Sequence, residues 1–189
     1  VKYVDRNGDG VVDDNDRDII GNPNPDFTYG FQTKVSWKSL SLSASFNGVQ
    51  GRDILNVGNR YNNTPGTKSN NVTRKAFQNM WTDENPSNLY PKSTFVVQNM
   101  VMDRYVEDGS YLRCSDITLS YVLPAKWTNK IGIKNTSVYA SVKNAFVITD
   151  YSGYDPEVNS FAFDGLRPGV DMNSYPTPRS FVFGLNLTF

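Results

Sequence analysis

The sequence has no histidine and a single cysteine, Cys114, in 189 residues. Without histidine it lacks the commonest general base and the commonest metal ligand. With one cysteine it can form neither an internal disulfide nor a thiolate metal cluster. Nor is there charge of one sign: Lys plus Arg and Asp plus Glu number 19 each, for a net charge of zero. That balance removes the electrostatic argument for nucleic-acid binding. No apolar run approaches the ~18 residues a membrane-spanning helix needs. Membrane strands, being only half apolar, are not excluded by this.

What is abundant is asparagine, with 21 residues, and aromatic side chains, at 13%. Long polar loops joined to strands with aromatic girdles would produce both biases. The last eleven residues, Arg179 to Phe189, show why strands are expected. Phe181, Phe183, Leu185, Leu187 and Phe189 alternate with Ser180, Val182, Gly184, Asn186 and Thr188. Side chains alternate across a strand, so one face is an apolar wall and the other is small or polar. About ten residues is also the length of a tilted strand that crosses a bilayer.

The same alternation recurs. Tyr29, Phe31, Thr33, Val35 and Trp37 oppose Gly30, Gln32, Lys34 and Ser36. After a tight turn at Lys38 and Ser39, Leu40, Leu42, Ala44 and Phe46 oppose Ser41, Ser43, Ser45 and Asn47. A third strand over Tyr111–Leu123 carries Ile117, Leu119, Tyr121 and Leu123 on one face, with Cys114 within or beside it. A fourth lies near Ser137–Ile148, where Val138, Val142 and Phe146 compete with Tyr139, Ala145 and Val147 for the apolar face. The predicted strands are therefore about 27–38, 39–49, 111–123, 136–148 and 179–189. Between them the connections alternate, tight at 38–39, long over 50–110, moderate over 124–135, and long over 149–178. One short amphipathic helix is predicted inside the first long connection, over Asn71–Trp81, with Val72, Ala76, Phe77 and Met80 on a face. Outer-membrane barrels put short turns on the periplasmic side and long loops outside. A soluble sandwich has no reason to segregate them. The expected fold class is all-β, the strands of a transmembrane β-barrel with long extracellular loops.

Residues 1–26 precede the strands as a loop segment with one sharp motif. Asp5, Asn7, Asp9, Gly10, Val11, Asp13 and Asp16 follow the spacing of the 12-residue calcium loop, with side-chain oxygens at positions 1, 3 and 5 and Gly at 6. The Val11 carbonyl would supply position 7, Asp13 would act through water, and Asp16 would close the site. An EF-hand would prefer Glu at position 12 and needs flanking helices, which the short segments on either side do not provide. The expectation is a structural calcium loop outside an EF-hand. The carboxylate pairs Asp13/Asp14 and Asp16/Asp18 are better explained by metal binding and solvation than by hydrolysis. No catalytic constellation is visible, and the chain is not expected to be an enzyme.

Several ordered blocks carry a family resemblance over essentially the whole chain. They are Tyr3–Gly10, Asp16–Phe31, Trp81–Pro86, Asp108–Arg113, Ile117–Pro124, Tyr151–Glu157 and Tyr175–Phe181. With these blocks the sequence resembles the carboxyl-terminal part of a SusC/RagA-type TonB-dependent outer-membrane transporter, the glycan and peptide importers of Bacteroidetes. The resemblance implies a barrel of about 22 strands with an amino-terminal plug. It implies energy-coupled import of oligosaccharides or peptides, with a SusD-like lipoprotein as a lid and TonB engaging an amino-terminal part not contained here. The expected partners are the rest of the barrel and its plug, the lid, TonB, outer-membrane lipid and the glycan or peptide substrate, and no nucleic acid. The chain begins at Val1 without Met, and five strands alone would leave two unpaired edges in lipid, so it reads as a piece of a longer polypeptide. Its carboxyl terminus is expected in the periplasm and its long loops outside. Aromatic side chains of those loops are the candidate contacts to substrate or lid: Tyr61, Trp81, Tyr90, Tyr151, Tyr154, Phe161 and Phe163. The competing reading is a secreted, soluble calcium-binding β-sandwich that binds carbohydrate or a protein.

Overall fold

The computed structural model describes residues 3–64, 71–93, 101–128, 133, 135–157 and 160–188. In chain order its elements are β1 (Phe27–Trp37), β2 (Leu40–Gln50), β3 (Asp53–Asn56), α1 (Val57–Asn63), α2 (Arg74–Asn79), β4 (Val106–Asp108), β5 (Tyr111–Val122), α3 (Ala125–Thr128), β6 (Asn135–Thr149), β7 (Val170–Asp171) and β8 (Ser180–Thr188). Phe189 of the expected final strand lies outside the described residues.

Long alternating strands and a short turn favour antiparallel neighbours, and the main sheet is an up-and-down array in the order β1-β2-β5-β6-β8. Lys38 adopts φ of 54°, the left-handed conformation a two-residue hairpin requires at its first central position. The turn closes on the Trp37–Leu40 pair, and the Lys38 ammonium lies 4.7 Å from the Trp37 ring centre.

The pairing register sorts the side chains into two faces. One transverse row runs Val35, Leu42, Leu119, Ala140, Phe183 through all five strands. The adjacent row on the opposite face runs Lys34, Ser43, Thr118, Ser141, Val182. The first face is apolar along its length and uncovered: Phe183 is 79% exposed and Val35 64%. The second is rich in hydroxyls, and Asp116 forms its charged centre. Its Oδ2 lies 2.7 Å from the Lys143 ammonium and accepts from Ser141 Oγ at 2.8 Å, while its Oδ1 accepts from Thr118 Oγ1 at 2.8 Å.

Two irregularities lie where β5 meets its neighbours. Ser115 is extra in β5 opposite the β2 pair Ser45/Phe46, and its hydroxyl donates to the Ser45 carbonyl at 3.1 Å. Asn144 and Ala145 together lie opposite Ser115, with Asn144 at φ 52°. The bulge reverses the odd–even sense of β5 between Cys114 and Ile117. In β6 the two residues opposite Ser115 keep the alternation intact, so Val138, Val142 and Phe146 all share the apolar face. Phe31 stacks on Phe46 at 4.6 Å, and Phe46 meets Phe146 edge-on at 6.3 Å, over the fully buried Cys114.

Apart from Cys114, Thr136 and Ser141 on the main strands, most of the buried side chains gather at one end of this sheet rather than along it. Ile54, Asn56, Tyr105, Tyr111, Arg113, Tyr151, Asp155 and Asp171 cluster where both long connections converge at one end. There β3 pairs antiparallel with β4 and parallel with β7, so segments from the two connections share one small sheet. Among its described residues the 50–110 connection, read from sequence as a loop holding one helix, thus contains two strands, two α-helices and a 3₁₀ turn at Asp103–Tyr105. The expected helix over 71–81 is shorter, only Arg74–Asn79, capped by the Thr73 hydroxyl accepting from Ala76 N–H. Ala76 is buried, but Phe77 points outward, because so short a helix buries a single position rather than a stripe.

Candidate functional site

The acidic loop winds as its glycines permit, with Gly8 at φ 76° and Gly10 at φ 82°. Asp5 accepts from Gly8 N–H at 2.7 Å and Gly10 N–H at 2.8 Å. The amide oxygen of Asn7 accepts from Asp9 N–H at 2.9 Å, and Asp9 accepts from Val11 N–H at 2.8 Å. Asp16 reaches back across the loop to Arg6 N–H at 2.7 Å and Asp13 N–H at 2.9 Å. The N–H groups of Asp13 and Arg6 hold the Asp16 carboxyl below its ordinary range. Asp13 caps the short 3₁₀ turn Asp14–Asp16 by accepting from Asn15 N–H. The donor set is chemically right for a hard cation. In this arrangement, however, its carboxylates are turned onto amides, and among the described residues no group of three or more acidic side chains converges as metal ligands. Calcium would have to draw the oxygens of Asp5, Asn7, Asp9 and Asp16 inward.

The aromatic candidates separate into distinct places. Trp81 and Tyr90 come together: Met80 and Tyr90 form an isolated parallel bridge, and Trp81 N–H donates to the Tyr90 carbonyl at 3.0 Å. They line one cleft of about 450 Å³ with Ser87, Asn88, Pro91, Lys92 and Arg104. Tyr61 sits on α1 against the Arg60 guanidinium at 5.8 Å. Phe161 and Phe163 meet edge-on at 6.2 Å, with Arg167 5.4 Å from the Phe161 ring. Tyr154 is exposed. Tyr151 is different: it is buried, and its hydroxyl donates to Asp171 Oδ2 at 2.7 Å. Burial first, and then this bond and the nearby carboxylates, push the phenol well above its ordinary value. Its ring is closed to any ligand, so its role is packing.

The polar groups that organise this end were not singled out from the sequence. Arg113, at the top of β5, pairs through Nη2 with Asp155 at 2.5 Å, both nearly fully buried. Its Nε lies 2.9 Å from Glu157 Oε2, although that N–H is not aimed at the oxygen. Asp155 also accepts from the N–H groups of Glu157 at 2.9 Å and Thr177 at 3.0 Å. Burial pushes its carboxyl up, but these bonds and Arg113 outweigh that and hold it below its ordinary value. Arg52 donates to the Pro156 carbonyl. Glu107 of β4 gathers three segments: it accepts from Asn56 at 3.0 Å, Asn59 at 2.9 Å, and Ser152 N–H and Oγ at 2.9 Å each. The only hint was that Asp108–Arg113 and Tyr151–Glu157 stand among the blocks that carry the resemblance.

A strand array with one uncovered apolar face, one hydroxyl-rich face and its long connections gathered at one end is the wall of a transmembrane β-barrel. The comparisons agree with this. No family model matches the chain. A TonB-dependent receptor of Formosa agariphila is 35% identical over 196 residues, covering 100% of this chain and 19% of the relative. The TonB-dependent receptor SusC of Bacteroides thetaiotaomicron is 34% identical over 194 residues, covering 99% of the chain and 17% of SusC. Structures of the RagAB peptide importer in open-open and closed-closed states match with TM-scores of 0.75 and 0.74 at 30% identity, over 90% of this chain and 18% of theirs. The chain thus spans about a fifth of the length of the curated relatives it matches. Over its whole length the chain is similar to barrel segments of SusC/RagA-type TonB-dependent transporters.

Proposed function

We propose that the polypeptide containing this chain is an outer-membrane, TonB-dependent importer of oligosaccharides or peptides that works with a SusD-like lipoprotein lid. The observation that carries the reading is the two-faced sheet. Its apolar rows suit lipid, its hydroxyl and charged rows suit a water-filled or plug-filled interior, and its long connections are gathered at one end. In this reading the long loops face outward with the lid and the carboxyl terminus faces the periplasm. Relatives and structural neighbours named as TonB-dependent receptors and a peptide importer support the assignment. The test is uptake of labelled oligosaccharides and peptides by cells with and without the intact gene. Gene-dependent uptake that a protonophore abolishes is the expected result, and uptake indifferent to the proton gradient would overturn it. A soluble sandwich would need its apolar face covered by a second sheet. Among the described residues only the small β4-β3-β7 sheet exists beside the main one.

For the acidic loop we propose structural calcium binding through Asp5, Asn7, Asp9, Val11, Asp13 and Asp16. Support comes from the spacing of the donors and from a backbone already wound around Asp5 and Asp16. Calcium is expected to protect the 5–16 segment from proteolysis in the intact protein. Removal of Asp9 and Asp16 together should abolish that protection. Identical cleavage with calcium and with chelator would end the proposal.

A further inference from the structure

We propose that the cleft between Trp81 and Arg104 binds an acidic oligosaccharide, through cations set beside aromatic ring faces; this rests on the import reading and names its substrate class. Two clefts adjoin through Tyr90 and Arg104. The larger, of about 450 Å³, holds Trp81 and Lys92, and the smaller, of about 190 Å³, holds Asn59, Asn63, Lys75 and Tyr105. The larger is within the range of small-ligand sites, roughly 300–1,000 Å³. Among the described residues, the walls supply three cations, Lys75, Lys92 and Arg104, and no carboxylate.

The cations are positioned rather than dispersed. Arg104 donates to the Leu89 carbonyl at 2.7 Å and lies 5.4 Å from the Tyr105 ring centre, which leaves most of its fork of donors for an anion. The Lys92 ammonium lies 4.9 Å from the Trp81 ring centre. Its nearest carboxylate, Asp83, stands 3.6 Å away and is well exposed, so this solvent-screened pair is readily exchanged for a ligand anion. Between the cations lie side-chain amides and a hydroxyl, with Pro91 and Leu89 as the aliphatic groups. Rings, amides and cations without deep apolar pockets suit a sugar bearing carboxylate or sulfate. A peptide would want side-chain pockets or a free strand edge.

The test uses the intact transporter containing this chain, purified in detergent. It is titrated with tetragalacturonate, a heparin-derived tetrasaccharide, maltotetraose and tetraglutamate. At least one of the two acidic saccharides should bind about tenfold or more tighter than maltotetraose and tetraglutamate. Binding to tetragalacturonate identifies carboxylate as the anion, and binding to the heparin fragment alone identifies sulfate. Lys92→Glu and Arg104→Ala should each lose that preference. Lys92→Gln, which leaves the Arg104–Leu89 tie intact, should lose it in part. Equal affinity for neutral and acidic saccharides, a preference for tetraglutamate, or insensitivity to Lys92→Glu overturns the proposal. The two readings fail separately. Energised uptake of neutral sugar or peptide without acidic-saccharide binding sinks this inference and spares import. Lys92-dependent binding without energised uptake does the reverse.

Discussion

Arg113 and Asp155 show how few side chains hold the loop end together. Their ion pair is nearly fully buried, and Asp155 accepts two further N–H bonds, so its charge is well compensated. Removing one partner strands the other: Arg113→Met should cost about 3–5 kcal/mol locally. The readout is accelerated proteolysis and amide exchange of 150–178 in the intact protein. The pH dependence has a definite sign. Asp155 sits below its ordinary value of 3.8, so its contribution is fully present above that pH and is lost as pH falls through the lowered value. Loop protection should therefore persist at pH 5 and disappear only under strongly acid conditions. Tyr151 behaves oppositely. Its raised phenol donates to Asp171 in the neutral form, a contribution complete below its ordinary value of 10.0 and lost only as pH rises through the folded-state value. Tyr151→Phe should cost about 1–3 kcal/mol, because it leaves buried Asp171 short of a donor, with substrate binding unchanged.

At the scale of elements, the strands were largely legible. Period-2 alternation is a local property, imposed by the pleat on any strand with one lipid-facing side. What could not be read was the face of β6, because Tyr139 and Val147 put large apolar side chains on the other face as well, and only the partner's register decides between the two. The central row makes a direct test. Leu119→Arg, in mid-row on the apolar face, should destabilise the barrel by about 2–4 kcal/mol, while Thr118→Arg on the opposite face should cost less. Heat-modified mobility of the folded barrel in detergent gels measures both, and equal effects would assign lipid to neither face. The short elements β3, β4 and β7 were not legible. Two to four residues carry no periodicity, and the pairing of β3 with β7 joins segments more than a hundred residues apart.

At the scale of the molecule, β1 and β8 leave outer edges of the sheet without partners among the described residues. In lipid such edges need neighbouring strands. The polypeptide recovered from native membranes should accordingly require detergent and have a mass of roughly 100 kDa or more, as expected for about 22 strands plus a plug. A detergent-free species of 21.2 kDa would overturn the barrel.

The sequence by itself determined the strand alternation, the split between short and long connections, the acidic loop's spacing and the family resemblance. All are carried by residues close together in the chain, or by order along it. Only the tertiary structure decided which aromatics share a cleft, that Tyr151 is packed away against Asp171, that Glu107 ties the two long connections together through Ser152, and that Arg113 fastens β5 to the second of them at Asp155. Those facts depend on which polar groups lose water together when distant segments meet. Burial and hydrogen-bond satisfaction are properties of the assembled loops, and no local pattern encodes them.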